Sequence, residues 1–122
     1  MNSTYERMLV GLKAVAGNVG EGWFIIMEEP DSERFVQFAF DEGQGLVFDC
    51  PTISFDEEEL ARATRVMEKF GIRLESPSGD DFTSFCANIG MNLDLGARIA
   101  SETFREVFMF PDNTSFDISI NK

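Results

Sequence analysis

The residues best suited to bind a metal or a phosphate lie in two loop-like stretches of this 122-residue chain. Asp112 to Asp117 reads D-N-T-S-F-D and begins like a calcium loop, because closely spaced oxygen-bearing side chains are the ligands that Ca²⁺ takes. It lacks the central glycine and the glutamate at the twelfth position, so a solvated turn is the favoured interpretation. Gly17 to Gly22 is rich in glycine, but it follows a predicted helix and has no lysine for a phosphate. We interpret it as the end of that helix.

Groups that could catalyse a reaction are few. The chain has no histidine, which is the commonest general base and metal ligand. The neighbouring acids Asp41-Glu42 and Asp80-Asp81 would need a cleft that holds two carboxylates at a set separation. Ser84 lacks the flanking glycines of a nucleophile elbow. We therefore predict no enzyme activity, no catalytic residue, no cofactor and no metal site; an enzyme that uses paired carboxylates is the remaining alternative.

The two cysteines, Cys50 and Cys86, are distant in sequence and form no CxxC pair. Neither a disulfide framework nor a zinc site is predicted from this spacing. Cysteine is among the most buried residue types, so we expect both thiols to be reduced and to lie in the core or the sheet.

The charge excludes whole classes of partner. The chain has 22 Asp and Glu against 10 Lys and Arg, a formal net charge of −12. A nucleic-acid-binding surface needs clustered Lys and Arg, so neither nucleic acid nor an anionic membrane is an expected partner. The sequence shows no apolar run of about 18 residues and no signal-peptide pattern. We expect a cytoplasmic protein with a single domain, residues 1–122.

Hydrophobic periodicity predicts three helices and five or six strands. The predicted elements are a helix from Ser3 to about Val19, strands Trp23 to Met27, Phe35 to Phe40 and Leu46 to Cys50, a helix that begins at Ser54, strands Ile72 to Glu75 and Phe82 to Ile89, a helix from Leu93 to Phe108, and a terminal strand that Phe116 to Ile120 could form. Strand runs interrupted by helices favour an α+β fold, an antiparallel sheet with helices packed on it, in the order α-β-β-β-α-β-β-α.

The ends and faces of these helices follow from short patterns. Capping boxes are predicted at Ser3 to Glu6 and at Ser54 to Glu57, and Asn92 or Asp94 is expected to cap the third helix. The buried stripe of the second helix is predicted to be Leu60, Ala63, Thr64, Met67 and Phe70, and its solvated face carries Arg62, Arg65 and Lys69.

Phenylalanine is the one residue in excess, at 13 of 122 residues. Along the second strand Val36, Phe38 and Phe40 share one face, and Phe35, Gln37 and Ala39 share the other. If helices cover one face, aromatic surface remains on the second, and a monomer rarely leaves such a patch exposed. The residues that we expect to contact a partner chain or a second copy are Trp23, Phe24, Phe35, Gln37 and Phe38.

Carboxylates surround this aromatic segment. Residues 21–59 hold about twelve acids and one base, Arg34. An acidic rim of this kind keeps an apolar surface soluble and favours partners that are basic and amphipathic.

The element order and the local pattern resemble a known family. Trp23-Phe24-Ile25-Ile26, Arg34-Phe35-Val36-Gln37-Phe38, Gly45-Leu46-Val47, Glu58-Glu59 and Phe70-Gly71-Ile72 look like segments of the type III secretion chaperone-like superfamily, particularly its YbjN-like, TY-Chap branch, over about residues 4 to 110. The resemblance implies a cytoplasmic, often dimeric, non-enzymatic module that holds a client or partner protein on apolar patches. The terminal segment departs from the basic chaperone plan, and it could pair with the chain's own sheet or with a neighbour's.

Two functions are compatible with these observations. The first is a small acidic protein-binding module that resembles the secretion chaperones; its expected partners are a client or partner protein and a second copy of the chain in a homodimer. The alternative is an acidic immunity or antitoxin-like protein that neutralises a basic toxin, which the small size and the charge of −12 favour.

Overall fold

The computed structural model describes residues 3–76 and 83–122 and confirms the predicted α+β fold and element order. The elements in chain order are α1 (Thr4–Val15), β1 (Phe24–Glu29), β2 (Arg34–Asp41), β3 (Gly45–Pro51), α2 (Glu57–Lys69), β4 (Leu74–Glu75), β5 (Ser84–Gly90), α3 (Leu93–Glu102) and β6 (Asp117–Asn121). A 3₁₀ turn, Ala16–Asn18, follows α1, and a π turn, Thr103–Val107, continues α3. Part of the predicted loop from Ser76 to Asp81, the start of the predicted strand at Phe82 and the pair Asp80-Asp81 lie outside the described residues.

All six strands of the described chain belong to one antiparallel sheet in the order β4-β5-β3-β2-β1-β6. β6 therefore pairs with β1 of the same chain, so the terminal segment extends the chain's own sheet. The pairing of β3 with β5 shifts between Leu46 and Val47. Gly45 lies beside this irregularity with a φ of 89°, and a Cβ there would lie 2.7 Å from the backbone carbon of Gly90. Only glycine fits that position without moving the backbone.

One face of the sheet forms the hydrophobic core, and we call it the covered face. Its buried residues are Ile25, Met27, Val36, Phe38, Leu46, Phe48, Cys50, Phe85 and Ile89. Met8 and Leu12 of α1, Met67 of α2 and Ile99 of α3 join the same cluster. The rings of Phe38 and Phe48 meet edge to face with centroids 5.6 Å apart. The prediction that Val36, Phe38 and Phe40 share a face is confirmed, since Phe40 lies opposite Leu46 and packs against the core from a partly exposed position.

The helix starts match the sequence prediction at two of three sites. Ser3 caps α1 and Asn92 caps α3, each by accepting a hydrogen bond from the backbone N–H three residues on. The predicted start of α2 at Ser54 was wrong. Asp56 is the N-cap, and its carboxylate accepts a hydrogen bond from the Glu59 N–H at 2.8 Å. The capping box is therefore formed by Asp56 and Glu59.

The buried stripe of α2 is rotated relative to the prediction. Ala63 and Met67 are buried as expected, but Val66 is also buried and Thr64 is exposed. Leu60 and Phe70 pack against the core from partly exposed positions. Val66 therefore replaces Thr64 on the inner side, which is consistent with the difference in hydrophobicity between the two side chains.

A buried carboxylate organises the turn between β1 and β2. Glu29 accepts hydrogen bonds from the backbone N–H groups of Asp31, at 3.0 Å, and Ser32, at 2.8 Å. These bonds, that from Asp31 first, hold the pKa of the Glu29 carboxyl below its usual range. The neighbouring Arg34 lies 2.6 Å from Glu59 of α2, so an ion pair joins the start of β2 to the second helix.

The segment predicted to be a turn rather than a calcium loop ties the end of the chain to α1. The Asp112 carboxylate accepts a hydrogen bond from the Thr4 N–H at 3.2 Å, and the Asp112 carbonyl accepts from the Thr4 hydroxyl at 2.7 Å. No helix among the described residues is long and apolar enough to cross a membrane.

Candidate protein-binding face

The second side of the sheet faces away from the helices, and we call it the open face. Because side chains alternate along a strand, the register that places the covered face inward places the following residues outward: Phe24, Ile26, Glu28, Phe35, Gln37, Ala39, Val47, Asp49, Cys86, Asn88, Asp117 and Ser119. None of these side chains is buried. The open face is therefore the part of the sheet that a partner could contact without disturbing the core.

The apolar part of the open face crosses three strands. Phe24 of β1 lies opposite Ala39 of β2, and Ala39 lies opposite Val47 of β3. Phe35 and Ile26 extend this surface along their strands. Cross-strand neighbours lie about 5 Å apart, so Phe24, Ala39 and Val47 form a continuous apolar row. Ile26 follows Phe24 on the same face of β1, and Phe35 lies diagonally from Ile26, beside Glu28.

A polar row crosses the middle of the open face. The Gln37 side-chain amide donates to the Asp49 carboxylate at 2.6 Å, and the Cys86 thiol lies 3.6 Å from the other carboxylate oxygen. Asp49 is half-buried on β3, one of the two central strands of the sheet. Burial and then the adjacent Asp49 charge raise the pKa of Cys86 to about 12. Asp49 is thus a negative charge at the centre of the face, bound by neutral donors.

Two further carboxylates face each other at the side of the open face. Glu28 of β1 lies directly opposite Asp117 of β6 and, on its other side, opposite Phe35. Like charges at opposed positions destabilise a sheet by a few tenths to about 1 kcal/mol. A cation placed between Glu28 and Asp117 would remove this repulsion.

The ion pairs among the described residues lie elsewhere. Within residues 3–76 and 83–122, the five ion pairs link Arg34–Glu59, Arg62–Glu58, Lys69–Glu102, Arg98–Asp94 and Arg105–Glu106. None of them uses Asp49, Glu28 or Asp117. The carboxylates of the open face are therefore available to cations from outside the described chain.

The structure brings together three of the five residues predicted to contact a partner. Phe24, Phe35 and Gln37 lie on the open face. The prediction for Phe38 was wrong, because its side chain has 0% exposure in the core on the covered face. Trp23 lies just before β1, where Lys122 is 4.8 Å from its ring centroid and Gly20 packs against the ring. The Trp23 ring therefore contacts Lys122 and Gly20 at the end of the sheet and is not one of the open-face residues.

Sequence reasoning missed Val47, Asp49 and Cys86 as members of this surface. The alternation within the third predicted strand could have placed Val47 and Asp49 on one face. Their position beside Gln37 and Cys86 depends on the pairing of β2 with β3 and of β3 with β5, which no local pattern specifies.

The predicted cysteine state agrees with the structure. Both thiols are free, with Cys50 buried in the core and Cys86 partly buried on the sheet.

No protein-family model, no curated protein and no solved structure matches this chain. The resemblance to secretion chaperones therefore stays a prediction from the sequence.

Proposed function

We propose that the protein is a binding module that holds a basic, amphipathic segment of a partner protein on the open face. The observation that supports this most directly is the combination of exposed apolar side chains with carboxylates that form no ion pair within residues 3–76 and 83–122. Phe24, Phe35 and Val47 offer apolar contact, and Asp49 and Glu28 offer charge. A segment with apolar residues on one side and Lys or Arg beside them satisfies both requirements at once.

A basic partner is favoured over a second copy of this chain bound through the same face. In a two-fold symmetric dimer the same surface patch meets itself. Asp49, Glu28 and Asp117 of one copy would then approach the same acids of the other, and unpaired like charges oppose association. A homodimer through the open face is the outcome that the experiment below must separate from a complex with another protein.

The test is retention of partners by the tagged protein from its native lysate, at low salt, with Phe35→Asp beside the unchanged chain. Val10→Asp is the matched control, because Val10 is 63% exposed on α1 and the substitution adds the same charge. The proposal expects one stoichiometric basic protein that the unchanged chain and Val10→Asp retain and Phe35→Asp does not. Far-ultraviolet circular dichroism must show that Phe35→Asp is folded. Equal retention by both variants would contradict the proposal.

Inhibition of a basic toxin is the second candidate, and the same carboxylates favour it. The two differ in how binding depends on salt. Association governed mainly by charge weakens steeply as ionic strength rises, because the Debye length falls from about 10 Å at 0.1 M to about 3 Å at 1 M. A partner that remains bound at high salt through the apolar residues favours the client-holding module; release by moderate salt, together with a toxic activity of the partner, favours the antitoxin.

A further inference from the structure

The helical side of the molecule, away from the open face, also carries a cleft. This cleft of about 440 Å³ is lined by Arg62, Arg65, Val66, Lys69, Glu106 and Met109. Its volume lies within the range of about 300–1,000 Å³ that small-molecule sites occupy. Three of the chain's ten cationic residues meet here, in a protein whose net charge is −12.

The three cations stand on one side of α2, because positions 62, 65 and 69 are spaced by three and four residues. The Arg62 Nε donates to the Val107 carbonyl at 3.0 Å, and the Lys69 ammonium lies 2.7 Å from Glu102. Both outer cations are thus held by the protein. Arg65 lies between them, is exposed and forms no ion pair within residues 3–76 and 83–122. Its guanidinium is the cation that remains for a ligand.

Met109 has a backbone conformation that its residue type does not favour. Its φ is 63°, in the left-handed region, and it follows the π turn where the Phe110 N–H donates to the Phe104 carbonyl. Glycine or asparagine is the usual residue in such a helix end, and a side chain there costs about 1 kcal/mol or more. Burial does not offset this cost, because the Met109 side chain is 64% exposed. A strained residue and a π turn that meet at one cleft are features that recur at ligand sites.

The lining also defines the chemistry of a ligand. The exposed, flexible and polarisable Met109 offers apolar contact beside the Arg65 guanidinium, and Val66, which is 5% exposed, adds only a small apolar area. The Glu106 carboxylate in the same lining disfavours a ligand that carries several negative charges.

We propose that this cleft binds a single carboxylate attached to a short apolar group. The carboxylate pairs with Arg65, since a planar guanidinium matches carboxylate geometry with two parallel hydrogen bonds. The apolar group lies against Val66 and Met109. Two sources share this chemistry: a free aliphatic acid, and the carboxyl terminus of a peptide that ends in an apolar residue.

The probes are octanoate and a short peptide that ends in leucine, each with its own neutral control, octanamide and the same peptide amidated at its C-terminus. Binding is measured through the carbon-13-labelled methyl groups of the six methionines by nuclear magnetic resonance. The proposal expects the Met109 signal to shift and to saturate at millimolar concentration or below with at least one carboxylate. The matching amide should bind at least about tenfold more weakly. The carboxylate that binds more tightly identifies the source.

Two variants separate the site from general charge effects. Arg65→Gln should weaken binding at least about fivefold, whereas Lys13→Gln removes the same charge from an exposed position on α1 and should leave it unchanged. Met109→Gly should weaken octanoate binding and raise the midpoint of urea unfolding, because glycine relieves the strained φ while it removes the apolar contact. The Arg65 and Lys13 variants are followed through the Met109 methyl signal, and Met109→Gly, which lacks that methyl group, is followed through backbone amide signals.

Equal effects of Arg65→Gln and Lys13→Gln would overturn the proposal, as would a Met109 signal that does not saturate with either carboxylate. An amide that binds as tightly as its carboxylate would also overturn it. These results would not bear on the function proposed for the open face, because no residue of that face lines the cleft.

Discussion

Phe35 and Phe38 lie three residues apart on β2, yet they belong to opposite faces of the sheet. Phe38 is fully buried and meets Phe48 in a core shared by all three helices. Phe35 is partly exposed and lies opposite the carboxylate of Glu28. The covered face therefore obtains its stability from burial, while the open face combines apolar surface with charge that the described chain does not neutralise. The same residue type thus supports folding on one face and is available for recognition on the other.

The largest expected effect is a loss of core packing on the covered face. Phe38→Ala should lower the free energy of unfolding by about 3–5 kcal/mol, because it removes a fully buried ring and leaves a cavity. Phe35→Ala should lower it by about 1 kcal/mol, since part of that ring is already in water. Urea unfolding of both variants measures the two values. Equal losses would show that the two faces do not differ as described.

The next effect concerns the ion pair between Arg34, at the start of β2, and Glu59 of α2. Glu59 has 8% of its side chain exposed, and Arg34→Gln removes its partner at 2.6 Å. We expect a loss of about 1–3 kcal/mol in the free energy of unfolding, because a buried carboxylate is left without its cation. Arg98→Gln is the control, since the Arg98–Asp94 pair is largely solvated, and it should cost less than about 1 kcal/mol. A larger loss for Arg98→Gln would contradict this.

A smaller effect should appear as a pH dependence of stability. The folded-state pKa of Glu29 is lowered, so its ionised form stabilises the fold above its unfolded-state pKa, near 4.3. That contribution should be lost as the pH falls through the lowered value. Thermal unfolding of Glu29→Gln between pH 7 and pH 3 should show a shallower decline than the unchanged chain. Parallel curves for the two proteins would mean that Glu29 titrates normally.

The smallest expected effect concerns the chemistry of the open face and not its stability. With a pKa of about 12, Cys86 has very little thiolate at pH 8, so a disulfide reagent should label it more than about tenfold more slowly than a free thiol of pKa near 8.5. Asp49→Asn should accelerate the reaction several-fold, because the adjacent charge is one cause of the raised pKa, after burial. Labelling of Cys86 at the rate of a free thiol would contradict the raised pKa of this thiol.

Much of the fold could be predicted because the local signals agree with it. Strict alternation from Phe35 to Phe40 assigned the two faces of β2, and apolar spacing located the helices. The start of α2 could not be placed, because Ser54 and Asp56 are both good caps and tertiary contacts decide between them. In the structure Ser54 instead accepts a hydrogen bond from Arg34 at 3.0 Å.

The candidate site was less predictable because it depends on pairing between distant strands. Trp23 and Phe24 are adjacent, and a shift of one residue moves a side chain to the other face of a sheet. The sequence alone therefore did not decide which of the two lies on the open face. Gln37, one neighbour of Asp49, lies on the adjacent strand β2, but the other neighbour, Cys86, lies on β5, which α2 and β4 separate from β3 along the chain. The π turn escaped prediction as well, since its apolar residues Phe104 and Val107 continue the spacing of an α-helix.

The most direct test of the account is to map the contact on the folded protein with the partner recovered from its lysate. Methyl signals of Ile26 and Val47 report on the open face, and those of Val10 and Ile53, both exposed elsewhere, report on the rest of the surface. Nuclear magnetic resonance titration should shift Ile26 and Val47 and leave Val10 and Ile53 in place. Shifts confined to Val10 or Ile53, with Ile26 and Val47 unchanged, would contradict the assignment of the open face as the binding surface.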